Sequence, residues 1–320
     1  MSSYLQDLTV RLATGVGLLP EALRQKHIDF IKRAQREDGG FAGRMGDSDL
    51  YYTAFGLRAF SILGELYGEP AERAAEFLRK EMNNHQTIVD FFSLFYASQL
   101  LRVSAGIDIF SAAESAWQDQ VVDLLNSLRR DDGGFAKAPQ GNASSTYHSF
   151  LVLLVMQLIE KPVSEPEKIV EYLYSQEQED GGFREIRAGK RAGTNPTAAA
   201  IGTLRILDQL TEESKELTID FLLDMQTDEG GLRANTRIPI ADVLSTFTGL
   251  LTLDDLGAMH ELHLDPLQRY LDSLQLEDGG FFAAVWDEAA DVEYTFYGLG
   301  CLALLANHLA EANQSSATTD

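Results

Sequence analysis

A Gly-Gly pair, with an acidic residue before it and phenylalanine after it in four of five cases, recurs along the chain. The instances are REDGGF (Gly39, Gly40), RDDGGF (Gly133, Gly134), EDGGF (Gly181, Gly182), DEGGL (Gly230, Gly231) and EDGGF (Gly279, Gly280). The first glycines stand 94, 48, 49 and 49 residues apart. A period of this length is the mark of a repeated supersecondary unit that buries its apolar face only by stacking on its neighbours. The first gap is close to twice the others, so a sixth unit without its glycines is expected between 41 and 131. NNHQTIVDFFSLFYASQLL (83–101) supplies its second half.

Aligned on the residue that opens that second half, the six units give Asp49, Asp90, Ser145, Asn195, Asp242 and Asp291, in steps of 41, 55, 50, 47 and 49. Asp, Ser and Asn are preferred helix N-caps, because a side-chain oxygen accepts a free backbone N–H there. The segments that follow, such as STYHSFLVLLVMQLI and DVLSTFTGLLTL, are apolar on most faces and read as buried inner helices. The segments before each Gly-Gly, such as SEPEKIVEYLYSQEQED, are charged and amphipathic and read as outer helices. Gly-Gly is read as the outer helix terminator, since glycine accepts the left-handed conformation that a C-terminus often needs.

Six helical hairpins extend as a solenoid or close into a ring. Units of equal length, no polar capping repeat, and the echo between DLYYTAFG (49–56) and DVEYTFYG (291–298) favour closure. The expected fold is all-α, an α/α toroid of six inner and six outer helices over 19–309. An N-terminal extension (1–18) and a disordered tail (310–320) are expected outside it.

With 26 Lys+Arg against 49 Asp+Glu the net charge is −23, which opposes nucleic acid and acidic membrane surfaces. A single cysteine, Cys301, excludes an internal disulfide framework and a multi-thiolate metal site. No stretch reaches the length of a membrane span, and a cytoplasmic protein is expected.

Every loop from Gly-Gly to a cap leads into an inner helix, so six loops and six inner N-termini share one mouth of the ring, where partial positive charge suits phosphates. Two adjacent loops add cations. FREIRAGKRAGTN carries Arg184, Arg187, Lys190 and Arg191 against Glu185, and LRANTRIPIAD carries Arg233 and Arg237 with no acid before Asp242. These residues, with Asn195, are the candidate diphosphate site; pairing with acidic outer helices is the alternative. Below the mouth the inner helices are rich in aromatics, of which Tyr51, Tyr52, Phe92, Tyr96, Tyr147, Phe247 and Tyr294, with His148, are candidates for the wall of an apolar pocket. The ligand shape implied is an anionic head on a long apolar tail.

The Q-x-x-[DE]-G-G-[FL] phrase (Gln35, Gln226 and Gln275 with their glycines, and Gln176 one residue further from its pair) and the D-x-x-[YS]-T-x-x-G-L helix starts resemble protein prenyltransferase β subunits. They are also similar to the QW repeats of squalene and hopene cyclases. The resemblance covers about residues 20–308 and implies an α/α barrel that takes an isoprenoid diphosphate of farnesyl or geranylgeranyl class. It also implies a helical α-subunit-like partner. The family holds zinc with an Asp-x-Cys pair opening the fifth inner helix and a His in the sixth. Asp242 matches the aspartate, but Leu244 and Tyr294 stand in the other two places, so zinc is not expected. Magnesium on Asp242, Asp291 and Glu293 is the remaining alternative. Asn195 takes the place of the family's diphosphate-binding His, and Arg233 and Arg237 lie in its basic loop at other offsets.

A cyclase-like reading would use the D-x-D-D acid motif, of which GDSDL offers only Asp47 and Asp49. The candidate catalytic residues are therefore Asp47, Asp49, Asp242 and Tyr294. The function expected is prenyl transfer to an unknown acceptor without the usual zinc. The alternatives are a terpene-cyclase-like enzyme and a non-catalytic isoprenoid-binding or scaffold protein.

Overall fold

A computed structural model describes residues 3–82, 87–110 and 117–317. Helix α1 (Tyr4–Leu18) precedes six hairpins: α2 (Glu21–Ala34) with α3 (Leu50–Ile62), α4 (Gly68–Glu81) with α5 (Ile88–Ala105), α6 (Trp117–Ser127) with α7 (Thr146–Leu158), α8 (Pro166–Tyr174) with α9 (Thr194–Ile206), α10 (Glu212–Leu223) with α11 (Val243–Leu256), and α12 (Leu264–Ser273) with α13 (Val292–Ala317). Each odd-numbered helix from α3 onward packs on the next, and α13 packs on α3, so the inner ring closes. The expected α/α toroid is the fold.

The Gly-Gly phrase does a different job from helix termination. Helices α2 and α8 end at Ala34 and Tyr174, well before Gly39 and Gly181, and the glycines sit in a separate turn. The first glycine of every pair has positive φ, and a Cβ there would lie 2.1–2.2 Å from a backbone carbonyl of the next outer helix: Arg73, Lys168, Leu217, Pro266 and, across the seam, Lys26. The phrase is thus the contact between neighbouring units. Its acid holds the turn: Asp38, Asp132 and Asp180 each accept the N–H of the second glycine through Oδ1 at 3.0, 3.1 and 3.2 Å. Its last residue ties the turn to the inner helix. The N–H of Phe41, Phe135, Phe183, Leu232 and Phe281 donates to the hydroxyl of Thr53, Ser149, Thr197, Thr246 and Thr295. This buried bond accounts for the threonine in both DLYYTAFG and DVEYTFYG.

Four of the six expected caps hold: Asp49, Ser145, Asp242 and Asp291 accept the backbone N–H three residues on. Two do not. Thr87 caps α5, with Asp90 at the third helical position closing a capping box, and α9 starts from Gly193 with no side-chain cap, leaving Asn195 inside the first turn. Asp and Asn suit the first turn as well as the cap, so type alone misplaced them.

The two ends also differ from expectation. Helix α1 packs on α13 and α3, and Leu5, Leu8, Leu12 and Val16 are buried. It crosses the end of the ring opposite the mouth, where Arg11 pairs with Asp254 (2.9 Å) and Asp255 (2.8 Å), and Arg205 also reaches Asp255 (2.5 Å). The extension is therefore the floor of the barrel. Helix α13 runs on to Ala317, through most of the segment expected to be a disordered tail; 318–320 lie outside the described residues. Ala310, Glu311, Ala312 and Gln314 are strong helix formers and favour continuing the helix beyond the ring.

The seam between the last and first units is sealed by His27, fully buried on α2. Its Nδ1 accepts the Gly280 N–H (3.1 Å), its ring stacks on Phe281, and Nε2 lies 3.4 Å from Gln275 Oε1. Burial pushes its pKa down to about 4. A depressed histidine pKa means the unfolded state binds the proton first, so the stability it contributes is present above pH 6.5 and is lost as pH falls toward 4, by up to about 3 kcal/mol. Buried carboxyls such as Asp242 and Glu293, raised by burial, act in the opposite sense. The difference between wild type and His27→Asn, whose Oδ1 keeps the acceptor, isolates the seam. The urea midpoint of wild type is expected to fall more between pH 7 and 4.5 than that of the variant; parallel curves would contradict this.

Candidate functional site

A cavity of about 530 Å³ occupies the middle of the ring. Its wall comes from the inner helices, five of which present aromatics in their first two turns or just beyond, while α9 contributes Asn195, Pro196, Ala198 and Ala199. Tyr51, Phe92, Tyr96, Tyr147, Phe150, Phe247, Phe296 and Tyr297 line it, and Tyr4, Leu5 and Leu8 of α1 form part of its lining. Five of the expected pocket residues are in place: Tyr51, Phe92, Tyr96, Tyr147 and Phe247. Three are not. Tyr52 and Tyr294 lie above the cavity near Arg44, whose guanidinium sits 5.3 Å over the Tyr294 ring, and His148 turns its Nδ1 to the Ser145 hydroxyl at 2.6 Å.

Beside the mouth lies an open cleft lined by Lys190, Arg191, Arg237 and Asn195, with Glu177, Glu179, Asp180 and Glu185 on its walls. Glu185, Asn195 and Pro196 line both cleft and cavity, so the two spaces meet at the first turn of α9. Among the six inner helices, α9 is the one whose start carries no side-chain cap; Thr194 N–H donates to Ala234 O (3.0 Å) and Pro196 has no N–H, which leaves the Asn195 N–H of the first turn to a ligand or water. Three of the four acids are engaged elsewhere: Ser214 Oγ donates to Glu177 (2.6 Å), the Gly182 N–H donates to Asp180 (3.2 Å), and Ser145 Oγ donates to Glu185, whose carboxyl burial pushes up.

The six expected cations separate. Arg184 Nη2 donates to Ser175 O and Arg233 Nη2 to Asp224 O, both at 3.0 Å, tying each loop to the end of its outer helix. These two are therefore structural in place. Arg187 is exposed and is not on the cleft wall. Lys190, Arg191 and Arg237 come together.

All but Asp47 of the acids offered for catalysis or metal binding are committed. Asp47 is exposed in the first mouth loop, and Asp49 caps α3. Asp242 accepts from Ser245 N (2.7 Å) and Ser245 Oγ (2.8 Å); Leu244 faces the cavity where the resemblance would put a thiolate. Asp291 accepts from Tyr294 N (3.0 Å) and Arg44 Nε (3.3 Å), and Glu293 accepts from the Tyr51 hydroxyl at 2.6 Å. Among the described residues no three His, Cys, Asp or Glu side chains converge to hold a metal, so Asp242, Asp291 and Glu293 do not form the magnesium site and the donors for zinc do not fit.

Sequence reasoning missed Arg58, two turns into α3 on the cavity wall. The signal was present, since Arg58 is the sole charged residue in LYYTAFGLRAFSI. It also missed the part α1 plays in lining the cavity, because an N-terminal extension outside the repeat carries no register that would place it.

A closed double ring of helices around an aromatic cavity, opening beside a cleft that carries three cations and four acids, defines an α/α toroid. The prenyltransferase alpha-alpha toroid domain family matches residues 11–143 and 144–319, and the chain belongs to it. Among solved structures the chain is similar to Candida albicans protein geranylgeranyltransferase-I complexed with GGPP, at 15% identity and TM-score 0.71 over 88% of this chain and 91% of that one. It is also similar to a variant of the type II terpene cyclase MstE from Scytonema in complex with geranylgeranyl dihydroxybenzoate (13%, TM-score 0.58, 95% and 98%). A third is an inactive α-1,6-mannanase variant of Salegentibacter in complex with α-1,6-mannotriose (13%, TM-score 0.59, 94% and 98%). At these identities the likeness is one of fold, which hosts more than one chemistry. No curated protein sequence matches. Among the described residues, no helix is long and apolar enough to cross a membrane.

Proposed function

We propose that the protein binds an isoprenoid diphosphate with its head on Lys190, Arg191 and Arg237 of the cleft and its tail in the barrel, and transfers the prenyl group to a non-thiol acceptor. The observation that carries this reading is the junction at Glu185, Asn195 and Pro196, which joins an apolar cavity to a cluster of three cations. Lys190, Arg191, Arg237 and the start of α9 would neutralise the charge that grows on the diphosphate as its bond to C1 breaks. The aromatic wall would face the allylic cation, and an acceptor lone pair would form the new bond as diphosphate leaves. No step passes through zinc, whose donors do not fit. The GGPP bound to the geranylgeranyltransferase-I neighbour supports the ligand class.

Two features favour transfer over cyclisation. Asp47 and Asp49 do not line the cavity, which leaves the acid motif without a proton donor at an alkene. Arg58 places a fixed positive charge about 12 Å below the start of α3, where a cyclising carbocation would travel. Incubation with farnesyl and geranylgeranyl diphosphate, with small nucleophiles supplied, is expected to release pyrophosphate and yield a linear prenyl product by mass spectrometry. A cyclised product that retains its diphosphate would contradict the reading. A helical α-subunit-like partner is the further part of the proposal, and affinity purification of the full chain from its own cells tests it.

A further inference from the structure

The cavity holds one charge to which the diphosphate reading gives no ligand. Arg58 is 8% exposed, and among the described residues no carboxylate lies within ion-pairing distance of it and its Nε has no hydrogen-bond partner. Four aromatic rings surround the guanidinium instead: Phe55 at 4.5 Å, Tyr96 at 4.8 Å, Phe92 at 5.0 Å and Phe296 at 5.9 Å from its Cζ to the ring centroids. Glu293 is a nearby acid, but the Tyr51 hydroxyl engages it and no ion pair joins it to Arg58. Rings stabilise a cation through their faces but accept none of its in-plane N–H bonds. A guanidinium taken from water without a counter-ion is costly, and replacing such a group by an apolar one of equal volume commonly stabilises a fold. Its place on the cavity wall therefore points to a ligand that completes it.

We propose that Arg58 is an anion site inside the barrel, separate from the cleft, that takes the carboxylate of a small apolar acid lying among the aromatic rings. A carboxylate matches the planar N–H fork by two parallel bonds, and the surrounding rings suit an apolar, preferably flat, body. Resting on the reading of the barrel as a prenyl-transfer site, this assigns the acceptor class: a carboxylic acid held by Arg58, with its nucleophilic atom directed toward the mouth where C1 lies.

The test is calorimetric titration of the full chain with 2-naphthoate and 2-naphthamide, against wild type, Arg58→Met and Arg58→Lys. Wild type is expected to bind the acid at least about tenfold more tightly than the amide. Arg58→Met should lose that preference while its unfolding midpoint stays at or above that of wild type. Arg58→Lys should keep the charge but weaken the acid several-fold, and it decides the matter should Arg58→Met fail to fold. Equal preference in wild type and Arg58→Met, or no preference in wild type, would overturn the proposal. Farnesyl diphosphate is expected to bind Arg58→Met no more weakly than wild type, since the tail meets a more apolar wall; loss of binding would place the diphosphate at Arg58 and also overturn the proposal. Failure of farnesyl diphosphate to bind wild type, with the naphthoate preference intact, would strike the cleft reading alone.

Discussion

Gly181→Ala is expected to destabilise the toroid by about 3–5 kcal/mol, in the range reserved for severe single substitutions. Gly181 has φ +80°, and a Cβ would stand 2.2 Å from Leu217 O and 2.4 Å from its carbonyl carbon. The left-handed backbone alone costs a residue with a side chain about 1–2 kcal/mol. The overlap is the larger part, because it is with backbone of the neighbouring outer helix and no side-chain rotamer relieves it. Two units would have to move apart, opening the contact on which a repeat protein depends. Gly64→Ala is the control: its φ of +74° is as demanding, but nothing lies within 4 Å of the added Cβ. It should cost only about 1–2 kcal/mol. Urea midpoints by circular dichroism check the pair, and equal losses would show that strain and not the inter-unit contact governs the phrase.

The second large effect is on binding. Joint replacement of Lys190, Arg191 and Arg237 by alanine is expected to weaken farnesyl diphosphate by about 10²–10³-fold, roughly 3–4 kcal/mol. These are the loop cations that the fold brings to one cleft at the cavity mouth. Arg184 and Arg233 give the contrast. Each donates to a carbonyl at the end of its own outer helix, so alanine there should cost about 1 kcal/mol of stability and leave affinity unchanged. Calorimetric titration of the triple variant and of Arg184→Ala with Arg233→Ala separates the roles. Equal loss in both would mean that the long-range field of the loops, and not the cleft, holds the ligand.

The fold was legible because one contact is written five times. The positive-φ glycine and the distant hydroxyl serve a fixed contact in all five phrases, and the acid does so in three, so their spacing survives where the rest of the sequence drifts. Ring closure was legible for the same reason, since Gly279 meets Lys26 as Gly181 meets Leu217. The site was harder to read. Arg184 and Arg233 looked like ligand-binding cations, yet they stand at the same place in their units, directly after Phe183 and Leu232. A residue that recurs at one register position follows the repeat, whereas Lys190, Arg191 and Arg237 do not recur so. Arg58 went unread because charge was sought only at the mouth, where helix ends and loops gather it, and the pocket below was read as apolar.

The central claim is that one ligand spans both spaces, with its head at the start of α9 and its tail among the rings of the inner helices. A crystal structure grown with geranylgeranyl diphosphate tests it most directly. The account predicts phosphate density within hydrogen-bond reach of Lys190, Arg191 and Arg237, continuous with a chain that passes Asn195 into the cavity toward Phe247. A diphosphate seated elsewhere, or a barrel that stays without the chain at saturating ligand, would contradict it.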